Sequence, residues 1–396
     1  MFEQLQPAPA DPILGLTEAF NLDPNPDKIN LGVGVYKDES GNTPIFESVK
    51  EAEERILKSE TTKSYLPMTG SGEFAEATRQ LLFGADSDII KSGKAATAQT
   101  PGGTGALRIA GEFLKKIRPT AKIWVSNPTW ANHIGVFETA GFEVQKYPYY
   151  DDAGKCINLE EMIGALKTVP SGDIVLLHAC CHNPTGLDPT FEQWKKIIDV
   201  VTRQKLTPML DFAYQGLADG IDRDAAALRL FAGSGAEMLI ASSFSKNFGL
   251  YRERVGALTL VCDSAQTAQN VLSHIKLTIR RNYSNPPSHG AAVVSTIMND
   301  PVLRRRWEAE VGSIRERIHQ MRDLFVKTLK EKGVQRDFSF ITKQNGMFSL
   351  SGLTKDQVNQ LRDKYSVYIV GSGRINVAGM TIKNMDRLCE TVADVL

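Results

Sequence analysis

Between residues 95 and 260 the chain alternates short apolar blocks with polar or glycine-rich ends. Ala95 to Gln99 leads into Gly102-Gly103-Thr104-Gly105, and an amphipathic helical pattern then runs through Ile117. Ile123-Trp124-Val125 leads into Ser126-Asn127-Pro128-Thr129-Trp130. Ile174 to Leu177 leads into His178, then His182-Asn183-Pro184-Thr185-Gly186. Pro208-Met209-Leu210 leads into Asp211-Phe212-Ala213-Tyr214-Gln215-Gly216. Met238 to Ala241 leads into Ser242, Ser243 and Lys246, and Val255 to Val261 reads as one more strand. This alternation predicts an α/β protein with a mostly parallel sheet covered by helices. Ligands of such sheets bind beyond the C-terminal strand ends. Five successive blocks therefore direct polar groups to one edge.

The flanks read differently. Residues 1–30 carry Pro7, Pro9, Pro12, Pro24 and Pro26 and few long apolar runs, which predicts an extended arm that packs on another surface. Asn30 to Tyr36 alternates glycine with apolar residues, and Gly34 sits where a backbone approaches a ligand or simply turns. Val49, Ala52 and Ile56 have helical spacing, and Tyr65 heads a loop. Arg280 to Pro287 reads as a loop between helical patterns, and residues 302–333 as one long helix. A smaller α/β unit follows, with Thr354 and Gln357 as a capping box. The expected division is 1–40 as arm and part of a small domain, 41–310 as the large cofactor-binding domain, and 311–396 as the small domain.

Composition narrows the classes. The 396 residues, 42% hydrophobic and 23% charged, suffice for a large core and two domains. Lysine plus arginine equals aspartate plus glutamate at 46 each, so neither nucleic acid nor a membrane surface is expected as partner. No apolar run approaches the ~18 residues of a membrane span, and the start lacks a signal-peptide pattern. Cys156, Cys180, Cys181, Cys262 and Cys389 show no metal-ligand spacing, so reduced thiols in a cytoplasmic protein are expected, and no metal.

The chemistry concentrates at the block ends. A lysine leaving a buried strand can be desolvated into a nucleophile toward carbonyls. Serines and the Arg254 fork beside Lys246 suit a phosphate, so together they suit a phosphorylated aldehyde such as pyridoxal phosphate. Gly103 and Thr104 at a helix start offer backbone N–H groups to an anion. This is neither a P-loop nor the dinucleotide fingerprint, because no Lys-Ser/Thr and no third glycine follow. Asp211 is an acid where an unpaired carboxylate would be costly, and a protonated pyridine nitrogen would keep it ionised. Asn183 and Tyr214 can bond a ring oxygen, and Trp130 offers a stacking face. Taken singly, each has a plain structural reading: an N-cap, a turn asparagine, core aromatics. His133 and His182 read first as packed or hydrogen-bonded histidines. Arg280 and Arg374 suit two carboxylates or, equally, surface ion pairs.

Taken together, the motifs resemble those of the class I aminotransferases. They are Ser-Phe-Ser-Lys-Asn-Phe-Gly-Leu-Tyr with Glu-Arg-Val-Gly, His-Asn-Pro-Thr-Gly, Asp-Phe-Ala-Tyr-Gln-Gly, Asn-Tyr-Ser-Asn-Pro-Pro and Ser-Gly-Arg-Ile-Asn-Val-Ala-Gly. The likeness runs from Met1-Phe2-Glu3 and Asp11-Pro12-Ile13-Leu14 to the C-terminus. It implies a fold type I transferase dependent on pyridoxal 5'-phosphate. Lys246 would bind the cofactor covalently and, once displaced, shuttle the proton. Asp211 would hold the pyridinium with His133 behind it, Asn183 and Tyr214 the ring oxygen, and Trp130 the ring face. Gly103, Thr104, Ser243 and Arg254 would hold the phosphate, with Tyr65 from the other subunit of a homodimer. Gly34 would lie at the substrate, Arg374 on its α-carboxylate, and Arg280 of the other subunit on its distal carboxylate. Leu217 departs from the pattern, standing where relatives carry an aromatic residue.

The resemblance implies ping-pong transfer of an amino group between L-aspartate and 2-oxoglutarate, with aromatic amino acids as an alternative substrate class. A β-lyase or decarboxylase of the same fold does not explain two carboxylate-binding arginines. A nucleotide-binding oxidoreductase lacks its fingerprint, and a non-catalytic regulator would not need Lys246.

Overall fold

The computed structural model describes residues 2–7 and 14–396. Met1 and Asp11-Pro12-Ile13, which carry part of the resemblance, and Pro9 of the expected arm lie outside the described residues. The chain divides into two compact units, Met1–Thr43 with Arg317–Leu396, and Pro44–Glu316.

The larger unit is built on a seven-stranded sheet. Its strands are β1 (Ala95–Pro101), β2 (Ile123–Asn127), β3 (Val144–Pro148), β4 (Ile174–His178), β5 (Thr207–Phe212), β6 (Met238–Ser243) and β7 (Val255–Val261). Across the sheet they lie in the order β1-β7-β6-β5-β4-β2-β3. β7 runs antiparallel to both neighbours, and the remaining pairs are parallel. Strands β4, β6 and β7 are buried along their whole length, as expected for a sheet covered on both faces. The helix Gly102–Ile117 lays Ala106, Leu107, Ile109, Ala110, Phe113 and Leu114 into the core with Val125, Phe137, Leu176 and Leu258. Each large side chain buried this way contributes about 1.5–3 kcal/mol before its entropy cost. Helix Phe191–Arg203 opens with a capping box from Thr190 and Gln193.

All strands but β7 end on the same edge. Residues 244–254 link β6 to its antiparallel neighbour β7, so this turn must also lie there. That geometry puts Lys246 at the strand ends. β3, with no sequence signal of its own, is an edge strand on which Tyr147 alone is buried.

The smaller unit pairs Ile29–Asn30 with Val367–Tyr368 in parallel, and Phe348–Leu350 with Arg374–Asn376 antiparallel. Helix Lys355–Tyr365 carries the Thr354–Gln357 capping box, and helix Ile382–Val395 closes the chain. The long helix spans Pro301–Glu331. Two expectations need correction. The first segment is not extended throughout: Phe2–Gln4 is a 3-10 turn and Leu14–Leu22 an α-helix, whose LGLTEAFNL sequence holds good helix formers between the prolines. Arg280 is not in a loop but in the last turn of helix Ala265–Asn282, where Arg280 and Arg281 suit the negative end of the helix dipole.

Candidate active site

Asp211 lies inside β5, opposite His178 on β4 and Ala241 on β6. It is 7% exposed. Its Oδ2 accepts a hydrogen bond from His133 Nε2 at 3.0 Å, and His133 Nδ1 pairs with the Thr129 hydroxyl at 2.8 Å. An ionised carboxylate can only accept, so the proton between the two groups sits on Nε2, and the Thr129 hydroxyl, which can donate or accept, serves Nδ1. Burial alone would raise the Asp211 pKa; the His133 bond and the charges of His133, His178 and Lys246 outweigh it and hold the group below its usual 3.8. Burial itself pushes His178 down to about 3. His178 is therefore neutral at pH 7, and the His133 N–H and Lys246 carry the effect there. The result is a buried carboxylate kept ionised, with a second oxygen to offer.

Tyr214 follows β5, and Asn183 Nδ2 donates to its hydroxyl at 3.3 Å. Both residues are buried. The turn bearing Asn183 is fixed by Asp188, whose carboxylate accepts the N–H groups of Cys181 and His182 at 2.8 and 2.9 Å. Lys246 Nζ lies 4.7 Å from the centre of the Tyr214 ring. The backbone just beyond the lysine is held from below. Trp307 Nε1 donates to Asn247 O at 2.7 Å, and its indole stacks on Phe248 at 4.4 Å.

On the other side of the lysine is a cradle. Gly102 has φ +73, and a Cβ there would meet Arg254 Nη2 at 2.4 Å. A Cβ at Gly103 would lie 3.1 Å from Ser243 Cβ. Arg254 donates from Nη1 to Tyr251 O at 2.9 Å and to Ser245 Oγ at 3.3 Å, and Ser243 and Ser245 hydroxyls are 3.2 Å apart. Thr104 occupies the same helix start. A guanidinium, two hydroxyls and the N-terminus of a 16-residue helix make a site for a phosphate group. Glycines leave the room that side chains would fill. With the ionised acid for a protonated ring nitrogen and the lysine for an aldehyde, the donor set fits pyridoxal phosphate.

The other expected residues separate into three groups. Trp130 sits at the start of helix Ala131–Thr139, its ring edge-on to His133 at 5.2 Å. Tyr65 is 92% exposed and Arg280 is also exposed, its guanidinium bonded to Ser284 Oγ; neither enters the buried cluster of its own chain. Gly34 and Arg374 belong to the smaller unit. There Arg374 donates to Gly32 O at 2.5 Å, and its guanidinium faces the Phe348 ring at 4.2 Å. A Cβ at Gly34 would fall 2.5 Å from that ring. Asn376 Nδ2 donates to Val33 O and Val35 O at 2.6 and 2.8 Å, which fixes the loop around Gly34. Leu217 is buried, so the aliphatic side chain fills its position. His182 is a packed histidine: it bonds Ser126 at 2.9 Å and Thr185 at 2.8 Å and stacks on Tyr149. Ser245 is one of the serines whose hydroxyls suit a phosphate in the sequence, whereas sequence reasoning passes over His178 and Thr129. His178 has no signal beyond its place at a strand end.

A seven-stranded sheet of this order, with a lysine turn and a phosphate cradle on its C-terminal edge, defines a fold type I transferase dependent on pyridoxal phosphate. The chain belongs to the family described as aminotransferase class I and II, which it matches over residues 26–392. It is 56% identical over 396 residues to the aspartate aminotransferase of Salmonella typhi, covering 100% of both chains. It is 55% identical to the aspartate aminotransferase of Escherichia coli (strain K12), again over 100% of both. Its structure is similar to an aromatic-amino-acid aminotransferase from Burkholderia pseudomallei covalently bound to pyridoxal phosphate. That similarity has a TM-score of 0.97 at 48% identity, covering 100% of this chain and 99% of that one.

Proposed function

We propose that this protein is an aspartate aminotransferase, moving the amino group between L-aspartate and 2-oxoglutarate to give oxaloacetate and L-glutamate. The observation that carries the reading is the ionised, buried Asp211 beside Lys246, in a chain 56% identical to an aspartate aminotransferase. Aromatic amino acids form a second substrate class, favoured by the 48% identity to the aromatic enzyme.

Bound pyridoxal phosphate supplies an electron sink for the substrate carbon that loses its proton. This chain's residues do the rest. Lys246 holds the cofactor and then, as general base, moves the proton from the substrate Cα. Asp211, supported by His133, keeps the ring nitrogen protonated. Asn183 and Tyr214 bond the ring oxygen, and Trp130 covers the ring. Gly103, Thr104, Ser243 and Arg254, together with Ser245, hold the phosphate. Arg374 takes the α-carboxylate, near Gly34.

Tyr65 and Arg280 act in the site of a second subunit, on the phosphate and the distal carboxylate. Their exposure supports this, as does the exposure of Phe2, Leu5, Leu22 and Leu57. The protein works as a homodimer on small amino and oxo acids. We place it in the cytoplasm, a reading supported by its five free thiols. Among the described residues no helix is long and apolar enough to cross a membrane.

The test is the visible spectrum of the purified holoenzyme. Aspartate should abolish the cofactor's visible band, and 2-oxoglutarate should restore it. A spectrum indifferent to both would overturn the assignment. Faster exchange with phenylalanine than with aspartate would favour the aromatic reading.

A further inference from the structure

Strand β1 is an edge strand, and its outer side is covered rather than left open. Gln99 is bonded to the segments lying there. Its N–H donates to Thr69 O at 2.9 Å. Its side chain, 1% exposed, donates from Nε2 to Pro287 O at 2.6 Å. Tyr283 Oη returns a bond to Gln99 O at 3.4 Å. The two segments so gathered are also joined directly, by Asn285 Nδ2 to Leu66 O at 3.0 Å. Gly70 lies against the same side chain: a Cβ there would fall 2.4 Å from Gln99 Cβ and from Oε1. Residues 65–70 and 280–287 are thus keyed to one buried glutamine. These segments carry Tyr65 and Arg280, the two side chains of the proposed machinery that face outward.

We propose that Gln99 is a positioning residue that binds these two segments into one unit and so presents Tyr65 and Arg280 to the partner subunit's site in a fixed relation. The proposal rests on the cross-subunit reading above and adds a residue and a direction to it. Displacing a positioned group by about 1 Å can cost on the order of 100-fold in rate. Gln99 is buried in its own chain, on the strand that ends at Pro101, one residue before the helix opening at Gly102. A merely structural role would therefore disturb the phosphate cradle of its own chain. The proposed role acts on the other site.

Hybrid dimers separate the two. One chain carries Lys246→Ala and the other Arg280→Ala, with different tags for purification. Only one site of the hybrid then has both Lys246 and Arg280. Gln99→Met removes the Nε2 donor at similar length. It also removes Oε1, a buried acceptor with no bond of its own, which limits the cost to folding. Placed on the Lys246→Ala chain, which supplies Arg280 to the working site, it should lower kcat/KM for aspartate roughly tenfold. Cofactor retention by that site should weaken in parallel, because Tyr65 moves with Arg280. Placed on the other chain, it should lower kcat/KM at least fivefold less. Gln99→Glu, which sets a carboxylate against Pro287 O, should show the same asymmetry more strongly. Equal losses in both arrangements, or a larger loss with the substitution on the Lys246-bearing chain, would overturn the proposal and leave Gln99 a structural residue. An inactive hybrid without any change at Gln99, with subunit exchange demonstrated, would instead overturn the cross-subunit reading and the proposal with it.

Discussion

His133 Nε2 lies 3.0 Å from Asp211 Oδ2, with both side chains buried. In that setting an isolated carboxylate would take up a proton to escape the cost of its charge. The histidine N–H removes that escape, and the acid remains an anion beneath the site. In the proposed function this anion would stabilise charge on the cofactor's ring nitrogen.

Asp211→Ala should therefore keep the fold and the phosphate cradle but lose about 10²–10³-fold in kcat, the scale of removing one preorganised electrostatic partner. Asp211→Glu retains the charge and should keep more activity. Steady-state rates with aspartate on cofactor-saturated protein make the comparison. An Asp211→Ala enzyme as fast as the parent would show that the acid does not serve the ring nitrogen.

His178 gives a pH dependence of stability. Burial lowers its pKa to about 3, against 6.5 when unfolded. Between those values the unfolded chain binds the extra proton, so stability falls as pH falls from 6.5 toward 3. One such group contributes up to roughly 1.4 kcal/mol per pH unit within the window. His182, pushed the same way by burial, adds to it. Denaturant midpoints at pH 7 and pH 5 should differ less in His178→Asn than in the parent, whatever the substitution does to absolute stability. An unchanged difference would mean that His178 is charged in the folded protein.

Gly102 tests the cradle. Its φ of +73 disfavours any side chain, and a Cβ would sit 2.4 Å from Arg254 Nη2. Gly102→Ala should displace the guanidinium and weaken pyridoxal phosphate binding at least tenfold, since charge-assisted bonds of this kind contribute about 1.5–3 kcal/mol each. Pyridoxal without its phosphate should bind parent and variant alike. A variant that binds both forms as the parent does would remove Arg254 from the phosphate site.

What could be read from the sequence followed the physics of each element. β4, β6 and β7 are buried on both faces, and so their apolar runs were unbroken and visible. β3 is an edge strand with Lys146 outward, and its run was too mixed to see. Asp211 was conspicuous because an acid does not belong in an apolar run. His178 was not, because its importance comes from pairing opposite Asp211 across two strands, a relation that no local pattern encodes. Arg280 looks like part of a loop in the sequence because Pro286 and Pro287 dominate its surroundings, although the helix runs on through Asn282. The same holds for Gln99. An isolated glutamine in a strand has no signature, and its bonds reach residues 69 and 287.

The role proposed for Arg280, binding the distal carboxylate, predicts how its loss changes substrate choice. A guanidinium brought into a closed site needs an anion, and the β- or γ-carboxylate of a dicarboxylic substrate supplies one in bidentate geometry. Truncating one partner of such a pair costs ~2–5 kcal/mol, roughly 30- to 5,000-fold. Arg280→Asp goes further, because it sets like charges together. It should lose aspartate and glutamate activity at or beyond the upper end of that range. Phenylalanine brings no distal carboxylate and should fall less, while arginine as substrate should gain in relative terms. Arg374 should behave differently. It is 4% exposed and tied to Gly32 O, and every amino acid presents the α-carboxylate assigned to it, so its loss should weaken all substrates together. The measurement is kcat/KM for aspartate, phenylalanine and arginine in both variants. If Arg280→Asp lowered all three by one factor, the residue would be structural, and its bond to Ser284 in the last helical turn would be its purpose.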